Sequence, residues 1–504
     1  MRQCDDNHSH CNSSRLQSAP RACPERLLRV GTRGDLSVTL ATASNVMQDG
    51  AGDSSPPRYA TLSYCWGDPS AMRVKLLDSN LDQLQESIQL EHLPRTIADA
   101  VDVARDLEIP FLWVDALCII QDSKKDWQQQ ADLMAEIYRG SYLNIAATHT
   151  RSCDDGLYVR RDPSRVQPCI VSAKYQDDWR SFQLLERNLF WHNVDGAPLN
   201  QRGWVLQERY LATRTVHFSH NQLFWECASQ DACEQCPGEM FRSDGSTSPK
   251  NHHELHWSFP NKWKKIVEVY SGCKLTVDSD KLVAVGGIAK TLAQEWRVDY
   301  LAGLFDDASI GNQLAWRPPW PTTRAATYRA PTWSLASIDG PVEFPVLRIN
   351  SGRSLVKTTE AHINPSGIGP YGEVASGWLR LHLQQKDLPL PRFHVLERPR
   401  ASAPQLFFDK DLPLRRPEDR SRCGRLVVSH GVMARHEPGE LAYQLDLEAS
   451  HFDGSTQVLM LPLTESTFGE FVVNGLLVQP SEENLGPADG TPVYRRLGFF
   501  WYHA

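Results

Sequence analysis

The stretch Phe111–Asp122, FLWVDALCIIQD, constrains the fold most. From Phe111 to Ile120 it is apolar apart from Asp115. A run of β-branched and aromatic residues like this reads as a strand buried on both faces. Helical patterns flank it. In Leu93–Leu107, Ile97, Val101, Ala104 and Leu107 line one face, and after Ser123 the residues Trp127, Ala131, Met134 and Tyr138 do the same. Thr96 with Asp99, and Ser123 with Asp126, have the spacing of a capping box. Further strands are expected at Tyr59–Trp66 (YATLSYCW), closed by the turn Gly67–Asp68–Pro69, and at Tyr142–Thr148 (YLNIAAT). Strand, helix, strand, helix, strand is the rhythm of a parallel α/β sheet with right-handed crossovers. Asp115 is the exception: a carboxylate inside a buried strand must be paired, hydrogen-bonded or neutralised. Gln121–Asp122 would then lie at the carboxyl edge, where open α/β sheets place ligands.

Around this centre, residues 1–25 are polar and aperiodic and read as a disordered tail. Leu27–Val30 and Leu36–Leu40 suggest a peripheral hairpin, and Ala51–Arg58 a loop. Arg202–Arg209 (RGWVLQER) opens a helix, and Thr215–Phe218 with Gln222–Cys227 form a second hairpin. Ser229–Asn251 reads as an exposed loop, Trp257–Ser271 and Asp280–Glu295 as helices, and Pro318–Pro331 as a linker. Beyond Thr332 short strands recur at Leu379–Leu383, Leu426–Val428, Gln457–Leu461, Phe471–Val478 and Gly498–Tyr502, around a mobile insertion at Asp387–Arg425. The domain reading is a tail (1–25), an α/β domain (26–230, core 59–227), a helical extension (231–340) and a β-rich C-terminal region (341–504).

A net charge of −8 over 504 residues argues against a dedicated nucleic-acid binder. No apolar run approaches the roughly 18–20 residues of a membrane span. The N-terminus lacks an apolar signal core, so a cytoplasmic protein is expected, its 12 cysteines mostly free thiols.

Gly367–Gly372 (GIGPYG) matches a dinucleotide fingerprint, but it follows Asn-Pro-Ser and precedes a strand-like run, so a turn is expected. Cys233 and Cys236 make one C-x-x-C with Cys227 nearby. Tetrahedral zinc needs four ligands, and His252, His253, His256 or Cys273 could complete a set only through folding the sequence does not display. No metal site or cofactor is assigned. Cys65 and Cys118 sit within the expected strands without a neighbouring His and read as small hydrophobes. Ser63, Tyr64, Trp66, Gly67 and Asp68 form a strand end running into a glycine turn, able to stack a ring and hydrogen-bond a sugar or phosphate, or else to bury both aromatics in the core. Glu208 lies four residues after Trp204, on one helical face with it, flanked by Gln207 and Arg209. Alone, that segment reads as a surface helix with a Glu–Arg pair.

Taken in order, Tyr59–Gly67, Leu93–Thr148 and Arg202–Cys227 resemble the fungal heterokaryon-incompatibility (HET) domain. Trp263–Tyr270, Asp280–Ile288 and Ala330–Gly340 extend the resemblance. Gln130 stands where the family often has Glu, and Leu335 where it often has Trp. The resemblance implies self/non-self recognition ending in growth arrest or cell death. Ser63–Asp68 and Trp204–Glu208 also resemble two elements of the TIR domain, a flavodoxin-like fold, with Val205 in place of a Cys. In enzymatic TIR domains the corresponding Glu supports cleavage of NAD. The fold expectation is therefore a flavodoxin-like, TIR-like parallel sheet with a helical extension and a β-rich C-terminal region. The functional expectation is a non-catalytic assembly module acting through protein partners or self-association. The alternatives are an NAD glycohydrolase using Glu208, with Ser63, Tyr64, Trp66, Gly67, Asp68, Asp115, Arg202, Trp204 and Gln207 on the substrate, and a diverged member with a regulatory or lost role.

Overall fold

A computed structural model describes residues 1–9, 11–12, 23–49, 58–176, 178–238, 259–320, 322–325, 327–344, 353–367 and 369–383, with strand segments at 392–395, 406–409, 423–424, 441–445, 459–466, 472–480 and 494–503. The chain divides into two units, Met1–His256 and Trp257–Ala504.

The first unit is built on a sheet of β1 (Arg26–Arg29), β2 (Ser37–Thr42), β3 (Tyr59–Ser63), β4 (Ile88–Gln89), β5 (Phe111–Trp113), β6 (Leu143–Ala146), β9 (Arg214–Phe218), β10 (Leu223–Cys227) and β11 (Asp231–Cys233). A separate hairpin joins β7 (Cys169–Tyr175) to β8 (Asp178–Leu184). The sheet order is β11-β10-β9-β6-β3-β5-β1-β2-β4. The pairs β5–β3, β3–β6 and β6–β9 are parallel; the others in this sheet are antiparallel. The sheet is thus mixed, with a parallel centre and an antiparallel meander on each side. Helices Arg95–Asp106, Lys124–Gly140 and Gly203–Leu211 make the three crossovers between the parallel strands. Both sequence-predicted hairpins form within this sheet.

The long strand expected at Phe111–Ile120 is not what forms. β5 stops at Trp113, and Asp115–Cys118 is one turn of helix, closed by the Ile119 amide donating to the Asp115 carbonyl at 3.1 Å. The run is apolar because both halves are buried, and a short apolar run cannot by itself separate strand from buried helix. The centre of the sheet is β3, all five of whose residues are buried. Ser123 does cap the Lys124–Gly140 helix, accepting from the Asp126 amide at 3.3 Å. Thr96 and Asp99 cap nothing. They accept from the Gly156 and Leu157 amides at 3.1 and 2.7 Å, which ties the loop after β6 to the Arg95–Asp106 helix.

The N-terminal stretch expected as a tail holds a helix at Arg2–Asn7, with Cys4 and Cys11 buried. Its anchors are polar: Asp5 pairs with Arg214 of β9 at 2.9 Å.

In the second unit, helices Phe259–Ser271 and Val283–Trp296 are followed by antiparallel strands. Val356–Pro365 pairs antiparallel with Val374–Leu383, and the described residues of Gly367–Gly372 lie between these two strands, not at the start of a helix. The predicted strands Leu379–Leu383 and Gly498–Tyr502 lie within Val374–Leu383 and Tyr494–His503, and Gln457–Leu461 and Phe471–Val478 overlap Leu459–Ser466 and Val472–Pro480, with Gln457, Val458 and Phe471 outside the described residues. Arg392–Val395, Leu406–Asp409 and Cys423–Gly424 pair as a small sheet inside the stretch expected as an insertion. Leu426–Val428 and the loop at 51–57 lie outside the described residues.

Candidate functional site

In chain order the four parallel strands stand second, first, third, fourth across the sheet. The chain therefore changes sides between β3 and β6, and the crevice at their carboxyl ends is where such sheets bind ligands. Ser63 ends β3 there, and its hydroxyl donates to Asn144 Oδ1 of β6 at 3.2 Å, an oxygen that Thr61 also reaches at 3.0 Å. Glu208, on the third crossover helix, arrives at the same point. Its carboxyl lies against the hydroxyls of Ser63 and Tyr138 and is only 7% exposed. Burial lifts it to about 7. The hydroxyls of Ser63 and Tyr138 and the Arg202 guanidinium pull downward, while Asp115 adds to the lift. A carboxyl poised there can take or give a proton at neutral pH.

A second buried carboxyl adjoins it. Asp115 accepts from Trp66 Nε1 at 2.9 Å and from the Ala116 amide at 2.7 Å. Burial raises it above the usual carboxylate range; Tyr64, Trp66 and Arg202 oppose that rise. Arg202 donates to the Tyr64 carbonyl, and its charge acts on both acids. The Tyr64 ring takes the core reading. It is 3% exposed, and its hydroxyl, beside Asp115, lacks a well-formed hydrogen bond. Trp66 is half-buried.

Ser63, Tyr64, Trp66, Asp115, Arg202 and Glu208 thus come together, and other candidates do not. Asp68 turns to solvent and caps the next turn, accepting from the Ser70 amide at 2.8 Å. Gly67 serves the backbone: its φ is +74°, and a Cβ would lie 2.8 Å from Ser152 Cα. Gly67→Ala is expected to lower stability by about 1–3 kcal/mol, read as a fall in the thermal midpoint. Trp204 meets Trp127 edge-to-face at 6.4 Å, and Gln207 is buried in the helix. Sequence reading missed Tyr138 and Asn144. Tyr138 was legible only as one more apolar-face residue, and Asn144 as the lone amide in a buried strand. Nor does Glu208 pair with its neighbour. Arg209 turns the other way, to Glu226 at 2.8 Å and Asp195 at 2.8 Å.

The cysteines also sort differently. Cys227 joins Cys4, His8 and Cys11, whose candidate ligand atoms all lie within 4.8 Å of one another. Cys233 packs instead with Leu189, Phe190 and Phe224, with Cys236 against that cluster. His252, His253 and His256 lie outside the described residues. A cavity of about 320 Å³ opens beside Cys4, Val216 and Trp225 and includes none of the groups around Glu208. No described helix is long and apolar enough to cross a membrane.

Compared with known proteins, residues 59–208 match the family described as heterokaryon incompatibility protein (HET). The matched stretch begins at β3 and ends at Glu208, enclosing the parallel centre of the sheet up to the third crossover. No curated protein and no solved structure matches the chain.

Proposed function

From the premise that residues 59–208 are a HET domain, we propose that this domain serves fungal self/non-self recognition and cell death by cleaving the nicotinamide–ribose bond of NAD. The observation that supports the reading is the Glu208 carboxyl, buried at the β3/β6 crevice and lifted to about 7 beside Ser63, Tyr138, Arg202 and Asp115. The strand order second-first-third-fourth is that of flavodoxin-like sheets, which supports the remote likeness to TIR domains.

Breaking the C1′–N bond sends its electron pair to the ring nitrogen, so nicotinamide leaves neutral. Positive charge builds at C1′, and an ionised Glu208 stabilises it. Water adds to C1′ and gives a proton to Glu208, whose value suits that task. Arg202 supplies a cation for a phosphate and Trp66 a ring face for a base. Ser63 and Tyr138 hold the carboxylate in place.

The test is nicotinamide release from NAD by the concentrated full-length chain. Glu208→Gln is expected to lower the rate by about 10²-fold or more. The wild-type rate should rise with pH through about 7 as Glu208 ionises. A rate no higher in wild type than in Glu208→Gln removes the enzymatic reading. The non-catalytic assembly module then stands, a reading favoured by Glu208's low exposure and by the outward turn of Asp68.

A further inference from the structure

Three cysteines and a histidine from opposite ends of the first unit's sequence meet at one point, and we propose that Cys4, His8, Cys11 and Cys227 bind a structural zinc ion that fastens the N-terminal segment to the end of β10. Cys4 is in the Arg2–Asn7 helix, His8 and Cys11 just follow it, and Cys227 is the last residue of β10. The three sulfurs are buried and the imidazole half-buried.

The spacing suits a tetrahedral ion. Bonds of about 2.3 Å to sulfur and about 2.0–2.1 Å to nitrogen put tetrahedral S···S and S···N edges near 3.8 and 3.6 Å. His8 Nδ1 lies 3.5 Å from Cys227 Sγ and 4.0 Å from Cys11 Sγ, and all four candidate ligand atoms fall within 4.8 Å of one another. Moving each atom by up to roughly half an ångström closes the set. Three thiolates and a neutral imidazole form one of the usual structural zinc sets, with no open position for substrate.

The surroundings fit the charge of that set. Zn²⁺ with three thiolates carries one net negative charge. Arg214, fully buried, donates from Nε to Cys4 Sγ at 3.1 Å, and its other end pairs with Asp5 at 2.9 Å. Ser229 Oγ stands 3.7 Å from Cys11 Sγ. Such outer partners orient ligands and temper their charge.

The site also explains why this stretch docks. Residues 1–12 read MRQCDDNHSHCN, with little apolar surface to bury. Among the described residues of this stretch, the buried side chains are the two cysteines. Metal ligation supplies folding free energy that an apolar face here does not.

The test uses the full-length chain with a C-terminal tag, purified under reducing conditions, its zinc content measured by elemental analysis. About one zinc per chain is expected, falling to a small fraction in Cys11→Ser and His8→Ala and unchanged in Cys236→Ser. Substitution with Co²⁺ should give the visible bands of a tetrahedral site and a thiolate charge-transfer band that weakens in Cys11→Ser. Removing zinc with a chelator should raise amide hydrogen exchange in residues 1–12 while the Lys124–Gly140 helix stays protected, so that loss of the clamp is separated from unfolding. The proposal is overturned if the chain carries no zinc, if Cys11→Ser and His8→Ala keep all of it, or if two of the three thiols are joined as a disulfide in freshly lysed cells.

Discussion

Arg209→Met is expected to destabilise the first unit by about 3–5 kcal/mol, because it strands the buried Glu226 carboxylate, whose cation has gone, beside the half-buried Asp195. Arg209 grips Glu226 with two nitrogens, Nε at 2.8 Å and Nη2 at 2.9 Å, and reaches Asp195 with the third at 2.8 Å. Glu226 is fully buried in β10, and His217 Nε2 lies 3.3 Å from it. The guanidinium also sits 5.6 Å from the Phe190 ring centre, so its plane is packed as well as paired. Methionine keeps much of that packing and removes the charge. The loss should therefore be electrostatic, and Glu226→Gln added to Arg209→Met should restore part of it. A urea titration followed by tryptophan fluorescence measures both variants. If the double variant is no more stable than the single, the cost lies in packing and the ion-pair account fails.

Arg209 and Glu208 also show what the sequence can and cannot carry. Adjacent on one helix, they invite an ion pair with each other, yet a helix turns about 100° per residue and sends them to different places. Glu208 goes to the β3/β6 crevice and Arg209 to β10. The parallel centre of the sheet was legible because burial on both faces and the helix periods leave local marks in Tyr59–Thr148. The antiparallel flanks were legible as hairpins, but not as extensions of the same sheet, since pairing of β1 with β5 joins residues about eighty positions apart. Asp115 was correctly singled out as a carboxylate that needs partners. Those partners, Trp66 and Ala116, come with a helical turn that the apolar run conceals. The Cys4–Cys227 meeting is hidden for the same reason: C-x₃-H-x₂-C shows three ligands near the N-terminus, and the fourth is supplied by topology alone.

Glu208→Gln should make the chain more stable relative to wild type as pH rises from 5 to 8, by about 3 kcal/mol in all, since each tenfold change in proton affinity is worth about 1.4 kcal/mol. The Glu208 carboxyl moves from an ordinary 4.5 to about 7, so between those values the folded chain holds a proton that the unfolded chain releases. Its stabilising contribution is complete below about 4.5 and is lost as pH climbs through about 7. Glutamine has no proton to lose, and the gap between variant and wild type should widen over that window and level off above it. The groups facing Glu208 sharpen the test. Tyr138 stays neutral because burial holds its hydroxyl well above its ordinary value. Asp115, also raised by burial, is present in both proteins. Urea midpoints at half-unit pH steps supply the measurement. A gap that stays flat from pH 5 to 8 means Glu208 is ionised in the folded chain across the whole range. In that case its burial is fully compensated, and the carboxyl is a satisfied structural acid, with no strained group at the sheet edge for NAD cleavage to use. A gap that opens as expected shows the domain giving up stability at neutral pH to keep an acid where glutamine would be safer, and that cost is the mark of a residue held for chemistry.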